Sequence, residues 1–243
     1  MPFFARLFGE GKRDEFAQTV NQSVYRISAA ALLATALMVP AALPLVDLAF
    51  RRGHFTVGDS VSTAVYFAWF SLSLALWSAQ ALYSRAFYAA GDTLTPMVAS
   101  SLIVIASLPM YAAMFRHFDV AGLAMASDLG IFLHTVVLAW LLGRKKLVAL
   151  SGFPWWELMK ALTTAIFAGG LCYVVARRVV VLGNWKTDLQ SLLLIGLTWL
   201  AAIAIGLWLT KSHLWTELRR RKEPTPDMEP RAVVERTEGG VQP

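Results

Sequence analysis

The sequence predicts an all-α, polytopic membrane protein with about six transmembrane helices, and three observations carry that prediction. Of the 243 residues, 57% are hydrophobic and only 16% are charged, against about 25% charged in ordinary soluble domains. The apolar residues are gathered into blocks of about 20 or more, the length a helix needs to cross a hydrocarbon core. The basic residues gather at the ends of those blocks and in the C-terminal tail.

Elements follow in order along the chain. Residues 1–26 hold no apolar core of signal-peptide form. Phe16, Val20, Val24 and Ile27 recur there at helical spacing between Arg13, Asp14, Gln18 and Gln22, which predicts a cytoplasmic helix lying in the membrane interface. Spans are expected at 27–50, 61–89, 97–115, 121–143, 157–176 and 190–210. In the first, Pro40 and Pro44 share a face and each removes a backbone donor, so a kink is expected there. The third and fourth are joined only by RHFDV at 116–120, which requires a tight antiparallel hairpin. Trp155, Trp156, Trp208 and Trp215 stand where interfacial aromatics belong. Beyond residue 211 the composition turns basic and rich in Pro and Glu, which predicts a disordered cytoplasmic tail.

Six spans place both termini on one side. That side carries 14 Lys and Arg in the loops and flanks, against 6 opposite (Arg51, Arg52, Arg116, Arg177, Arg178 and Lys186). Both termini are therefore expected in the cytoplasm. The net charge of +6 and pI near 9.7 read as this topology signal plus attraction to anionic head groups, not as a nucleic-acid surface. Cys172 is the single cysteine and lies inside an apolar block, so no intrachain disulfide is expected and the thiol reads as a packing group.

Nothing in the chain spells out a catalytic constellation. There is no GxSxG, P-loop, HExxH or paired-cysteine pattern, so no enzyme, cofactor or metal site is expected. The candidates are polar groups at membrane depth, which are costly in lipid unless they face a bundle interior. Asp128 falls within the fourth span and shares a face with Thr135. Gln80 lies in the second span near Arg85, whose guanidinium suits phosphate at a span's end. These three are the candidate substrate contacts, with helix-to-helix glue and snorkelling as the competing structural readings. His134 reads as a hydrogen-bonded helix contact.

The segment RAFYAAGDTLTP at 85–96 reads as a tight cytoplasmic turn. Phe87 and Tyr88 are expected in an interfacial aromatic belt. Gly91 ends one helix, Asp92 or Thr93 caps the next, and Pro96 suits its first turn.

That turn resembles the FYA-x-x-D-T-x-T-P turn of the MurJ/MviN family of lipid II flippases, in the multidrug/oligosaccharidyl-lipid/polysaccharide exporter superfamily; Arg85, Phe87, Tyr88, Asp92, Thr95 and Pro96 carry the likeness. PFFARLFGEGKRDEF, MVPAALPLVDLAFRRGHFTVGDSVSTA and VAGLAMASDLGIFLHTVVL are similar to other family segments, in family order, over about residues 1–210. The resemblance implies a two-lobe, MATE-like transporter fold with 27–143 as four helices of the second lobe. It implies that 144–210 are two C-terminal helices forming a lipid-tail groove, in which Gly169 and Gly170 would stand. It implies transport of an undecaprenyl-pyrophosphate-linked peptidoglycan precursor across the bacterial cytoplasmic (inner) membrane. The implied partners are this polyprenyl-linked lipid, membrane lipids, a missing or separate N-terminal half and cell-wall synthesis enzymes. Where the family's sodium site has an Asn and an Asp, this chain offers Ser107, Pro109 and Tyr111. Asp128 stands where the family commonly has a small hydroxyl residue. Export of another polyprenyl-linked saccharide or of a drug, or a non-transporting scaffold of cell-wall synthesis, are the alternative readings.

Overall fold

A computed structural model describes residues 2–180 and 184–211; the expected tail beyond Lys211, with Trp215, lies outside them. The elements are α1 (Pro2–Gly9), α2 (Arg13–Phe50), α3 (Val57–Leu72), α4 (Leu74–Ala89), α5 (Leu94–Arg144), α6 (Trp155–Val179) and α7 (Trp185–Leu209), with a 3-10 turn at Leu150–Gly152. No strand occurs among the described residues. Four helices are long and apolar enough to cross a membrane, and α3 with α4, bent by 45° at a short break, is long and apolar enough as a pair.

α2 departs from the expected division at residue 26. Its 38 residues reach about 57 Å at 1.5 Å per residue, nearly twice a hydrocarbon core. Phe16, Val20 and Val24 are fully buried and belong to the main hydrophobic core, while Ile27 is exposed. The spacing that suggested a separate interfacial helix is the packed stripe of the first turns of α2. α1 lies beside this stripe, with Phe4 and Phe8 edge-on to Phe16 at 6.1 and 5.5 Å between ring centroids.

α2 runs unbroken through Pro40 and Pro44. The missing N–H of Pro40 frees the Ala36 carbonyl, and an added Cβ at Gly169 of α6 would stand only 3.5 Å from it. Trp199 of α7 donates its Nε1–H to the Leu33 carbonyl at 2.8 Å. The proline-bearing stretch is thus covered by α6 and α7, as a chain without water to supply partners requires.

The expected single span 61–89 is broken at Ser73. Carbonyls at the break are satisfied by hydroxyls: Ser73 Oγ donates to Phe70 O at 3.0 Å and Thr35 Oγ1 of α2 donates to Ser71 O at 2.7 Å. One turn on, Thr135 Oγ1 of α5 donates to Leu76 O at 3.1 Å. The bend is held from both neighbouring helices.

α5 is 51 residues long, but Asp119 departs from helical geometry, with φ 51° and ψ −137°. Two 25-residue arms, 94–118 and 120–144, fold back on each other there. Ser100 Oγ meets His134 Nε2 at 3.0 Å, Gly130 approaches the Tyr111 hydroxyl, and Gly122 lies against Met114. These partners pair at a nearly constant sum of residue numbers, the signature of an antiparallel hairpin, so α5 supplies two crossings and the bundle six. The hairpin expected across RHFDV is present, with its reversal concentrated on one aspartate.

The core sits where α2, α4, the two ends of α5 and α6 converge: Phe16, Tyr83, Phe87, Leu138, Leu142 and Ala161 are among its buried members. Phe87, fully buried, is therefore a core residue and not part of an aromatic belt; Tyr88 is exposed. Burying a Phe side chain contributes about 1.5–3 kcal/mol in water-based terms. Trp155, Trp156 and Trp208 are exposed at helix ends, as interfacial aromatics should be.

Candidate functional site

The 85–96 segment closes as a sequence of caps. Helix α4 ends in a Schellman arrangement: Asp92 N–H donates to Phe87 O at 3.0 Å and Gly91 N–H to Tyr88 O at 3.1 Å, with Gly91 at φ +78°. Only glycine takes that φ without strain. Asp92 then serves two elements. Its Oδ1 accepts from Thr95 N–H at 3.0 Å and so caps α5, and its Oδ2 pairs with Lys145 Nζ. Lys145 also donates to Thr95 Oγ1 at 2.6 Å. Between the two possible caps the structure selects Asp92, since the Thr93 side chain makes no capping bond. The Lys145 hydrogen bond holds the Asp92 carboxyl below the usual carboxylate range, with the Thr95 backbone N–H assisting against partial burial.

This clasp joins the start of α5 to its end, because Lys145 caps the second arm. The connection that follows folds inward: Val148 and Phe153 are buried, and Asn21 Nδ2 of α2 donates to Ala149 O at 3.0 Å. The RAFYAAGDTLTP turn, the 145–153 connection and the first half of α2 form one packed end of the bundle. Pro96 is buried within the first turn of α5.

Arg85, Gln80 and Asp128 are not brought together. Arg85 is exposed, Gln80 half-buried and Asp128 half-buried, and no hydrogen bond or ion pair joins them among the described residues. Asp128 instead faces the bend in α3–α4, with Ser73 beside its carboxyl and its Oδ1 buried without a hydrogen-bond partner. Thr135, on the same face, meets that bend one turn further along. Gly169 and Gly170 also part company: Gly169 packs on Ala36, whereas Gly170 is exposed with nothing within 4 Å of an added Cβ. The close contact between the last two helices is made elsewhere, where an added Cβ at Gly206 would come within 2.6 Å of Thr164 Cγ2.

Sequence reasoning missed a polar cluster at the opposite end of the bundle. Asp47, near the end of α2, is 3% exposed. Its Oδ1 accepts from Ser60 Oγ at 2.6 Å and its Oδ2 from Arg51 Nη1 at 2.9 Å. Asp188, in the first turn of α7, is 2% exposed beside it. A cavity of about 430 Å³ opens here, lined by Asp47, Arg51, Arg52, Asn184, Trp185 and Asp188 among others. The Asp47–Arg51 half was visible as an acid four residues before an arginine at a block's end; nothing local announces that Asp188 joins it across 141 residues of chain.

The sequence pattern of the family described as "Lipid II flippase MurJ" matches residues 1–196. A probable lipid II flippase MurJ of Synechocystis sp. is 23% identical over 233 residues, covering 90% of this chain and 43% of the relative. One of Rhizobium meliloti is 26% identical over 138 residues, covering 57% and 26%. A solved "Lipid II flippase MurJ, inward closed conformation" superposes with a TM-score of 0.65 at 16% identity, over 84% of this chain and 41% of that one; it speaks for the fold. The chain spans less than half the length of the relatives it matches. Six helical crossings, the capped 85–96 turn and a family match over more than three quarters of the sequence converge: this chain belongs to the lipid II flippase MurJ family.

Proposed function

We propose that this chain acts as the C-terminal portion of a lipid II flippase, carrying an undecaprenyl-pyrophosphate-linked peptidoglycan precursor from the inner to the outer leaflet of the bacterial inner membrane. The observation that carries the reading is the family match running unbroken through residues 1–196.

The physical task is to move a pyrophosphate and sugars through hydrocarbon, which two lobes rocking about a polar cavity accomplish without exposing the charge to lipid. The features of this chain suit one rigid lobe of such a machine. Its clasped turn ties both ends of α5 to the packed end of the bundle, so the hairpin moves as a unit. Leu102, Val104, Ile105 and Leu108 on the first arm of α5 are all exposed, a face available to the other lobe or to lipid. Binding is proposed to use Arg85, Gln80 and Asp128 as separate contacts, since they do not form one cluster. The chain performs no chemical conversion in this reading.

Complementation tests it. In a bacterium depleted of its own flippase, this chain alone is expected to leave lipid II translocation and growth unrestored. Co-expression with the first lobe of a relative is expected to restore both. Rescue by the chain alone would refute the half-protein reading, and translocation of a different polyprenyl-linked saccharide by the reconstituted pair would reassign the substrate.

A further inference from the structure

The Asp47–Asp188 cluster is one positive charge short. Asp47 is satisfied, by Ser60 on one oxygen and Arg51 on the other. Asp188 has no such partner: its Oδ1 has essentially no solvent access and no hydrogen bond, although its carboxyl lies within hydrogen-bonding reach of Asp47. The other charged groups nearby do not close the gap. Arg52 lines the adjoining cavity but is exposed. Lys186 Nζ lies over the Trp185 ring, 5.7 Å from its centroid. From α6, Arg177 and Arg178 are exposed and form no ion pair among the described residues. From α3 the Ser60 hydroxyl, a neutral donor, reaches Asp47.

Two carboxylates cannot both stay ionised at contact in a dry site unless a cation bridges them. Asp188 Oδ1 is closed to solvent, so no hydrated ion or ammonium group in the cavity touches that oxygen, and no group of three metal-ligating side chains occurs among the described residues. A proton needs no room. Asp188 also precedes the apolar block 190–210, at the helix end beside the open cavity, so a proton has a path in from solution.

We propose that Asp47 and Asp188 form a proton-binding site: Asp188 is held as the neutral acid and donates to Asp47, latching the start of α7 onto the α2–α3 corner. The ligand is one proton, taken from the solution at the end of the bundle opposite the 85–96 turn. When the proton leaves, two buried carboxylates face each other with the Arg51 guanidinium bonded to one of them, and the latch opens. Arg51 is paired with Asp47 at 2.9 Å.

Unfolded Asp188 ionises above about pH 4, so folding takes up a proton. The folding equilibrium therefore falls by up to about tenfold per pH unit above that point, until the folded pair itself releases the proton. The decisive experiment is infrared spectroscopy of the full chain in lipid nanodiscs, in an Asp128→Asn background that removes the other carboxyl with an orphan oxygen. A protonated-carboxyl carbonyl band at neutral pH that disappears on adding Asp188→Asn is the expected result. Absence of the band, or its persistence in the double variant, overturns the proposal; so does a band that is absent in potassium buffer while sodium raises the unfolding temperature, which would make the site a sodium site. Asn at 188 can still donate to Asp47, so that variant should fold, and its unfolding is expected to lose the pH slope that begins above the ordinary carboxylate range. An unchanged slope overturns the proposal independently of the spectrum.

Discussion

At the scale of single residues, the hairpin depends on one missing methyl group. An added Cβ at Gly122 would stand 2.1 Å from the Met114 carbonyl oxygen, backbone that cannot rotate away. Gly122→Ala is expected to pry the arms of α5 apart at a cost of about 1–3 kcal/mol, read as a lower unfolding temperature in detergent. Gly170→Ala, with open space around it, should leave that temperature unchanged, and equal effects would show that the contact is unimportant. Asp92 makes a subtler contribution. The Lys145 bond lowers its folded-state pKa, so its stabilisation is present at neutral pH and is lost as pH falls below the ordinary carboxylate range toward the folded value. Because Lys145 is partly exposed, the ion pair should contribute no more than about 1 kcal/mol. Asp92→Asn keeps a capping oxygen and should flatten only the acid limb of a stability-against-pH curve; a loss of equal size at all pH values would assign Asp92 to capping alone.

At the scale of elements, the bend between α3 and α4 is a designed break held by hydroxyls. Thr35 is buried and donates to Ser71 O, in a bilayer setting where no water can take over that carbonyl. Thr35→Val keeps the shape and removes the donor, and is expected to cost about 1 kcal/mol and to increase hydrogen exchange at the start of α4. If exchange there is unaffected, the bend is set by packing. The break also explains why Asp128 is tolerated. A carboxyl in a span that faces a neighbour's broken turn has polar backbone and Ser73 nearby, whereas the same residue against an intact helix would face only hydrocarbon.

For the whole molecule, six crossings put Gly53 and Lys186 on one side and Lys146 on the other. In a Cys172→Ser background, cysteines at 53 and 186 should react with a membrane-impermeant maleimide added to intact spheroplasts, and a cysteine at 146 only after lysis. The reverse pattern would invert the orientation that the distribution of Lys and Arg implies. The same count explains why α2 is so much longer than a bilayer requires. Its first half is structural, a core strut for the end that holds the turn and the 145–153 connection, and only its second half must be long and apolar for crossing.

What the sequence determined by itself was the class, the order of the apolar helices, the hairpin at 116–120 and the place of the 85–96 turn. Those features follow from local rules: hydrocarbon thickness sets block length, two apolar runs five residues apart must double back, and Gly91, Asp92 and Pro96 have backbone preferences that need no distant partner. The tertiary structure alone decided which apolar stripe is core and which faces lipid. Phe87 and the Phe16–Val20–Val24 stripe look interfacial by pattern because interface and core are both apolar, and only the packing of α2 on α4 tells them apart. It also decided which polar groups meet. Asp128 finds the α3–α4 break instead of Gln80 or Arg85, Asp92 finds Lys145 53 residues away, and Asp188 finds Asp47, because such encounters are set by how helices lie against one another, and helix packing depends on faces brought together from distant parts of the chain.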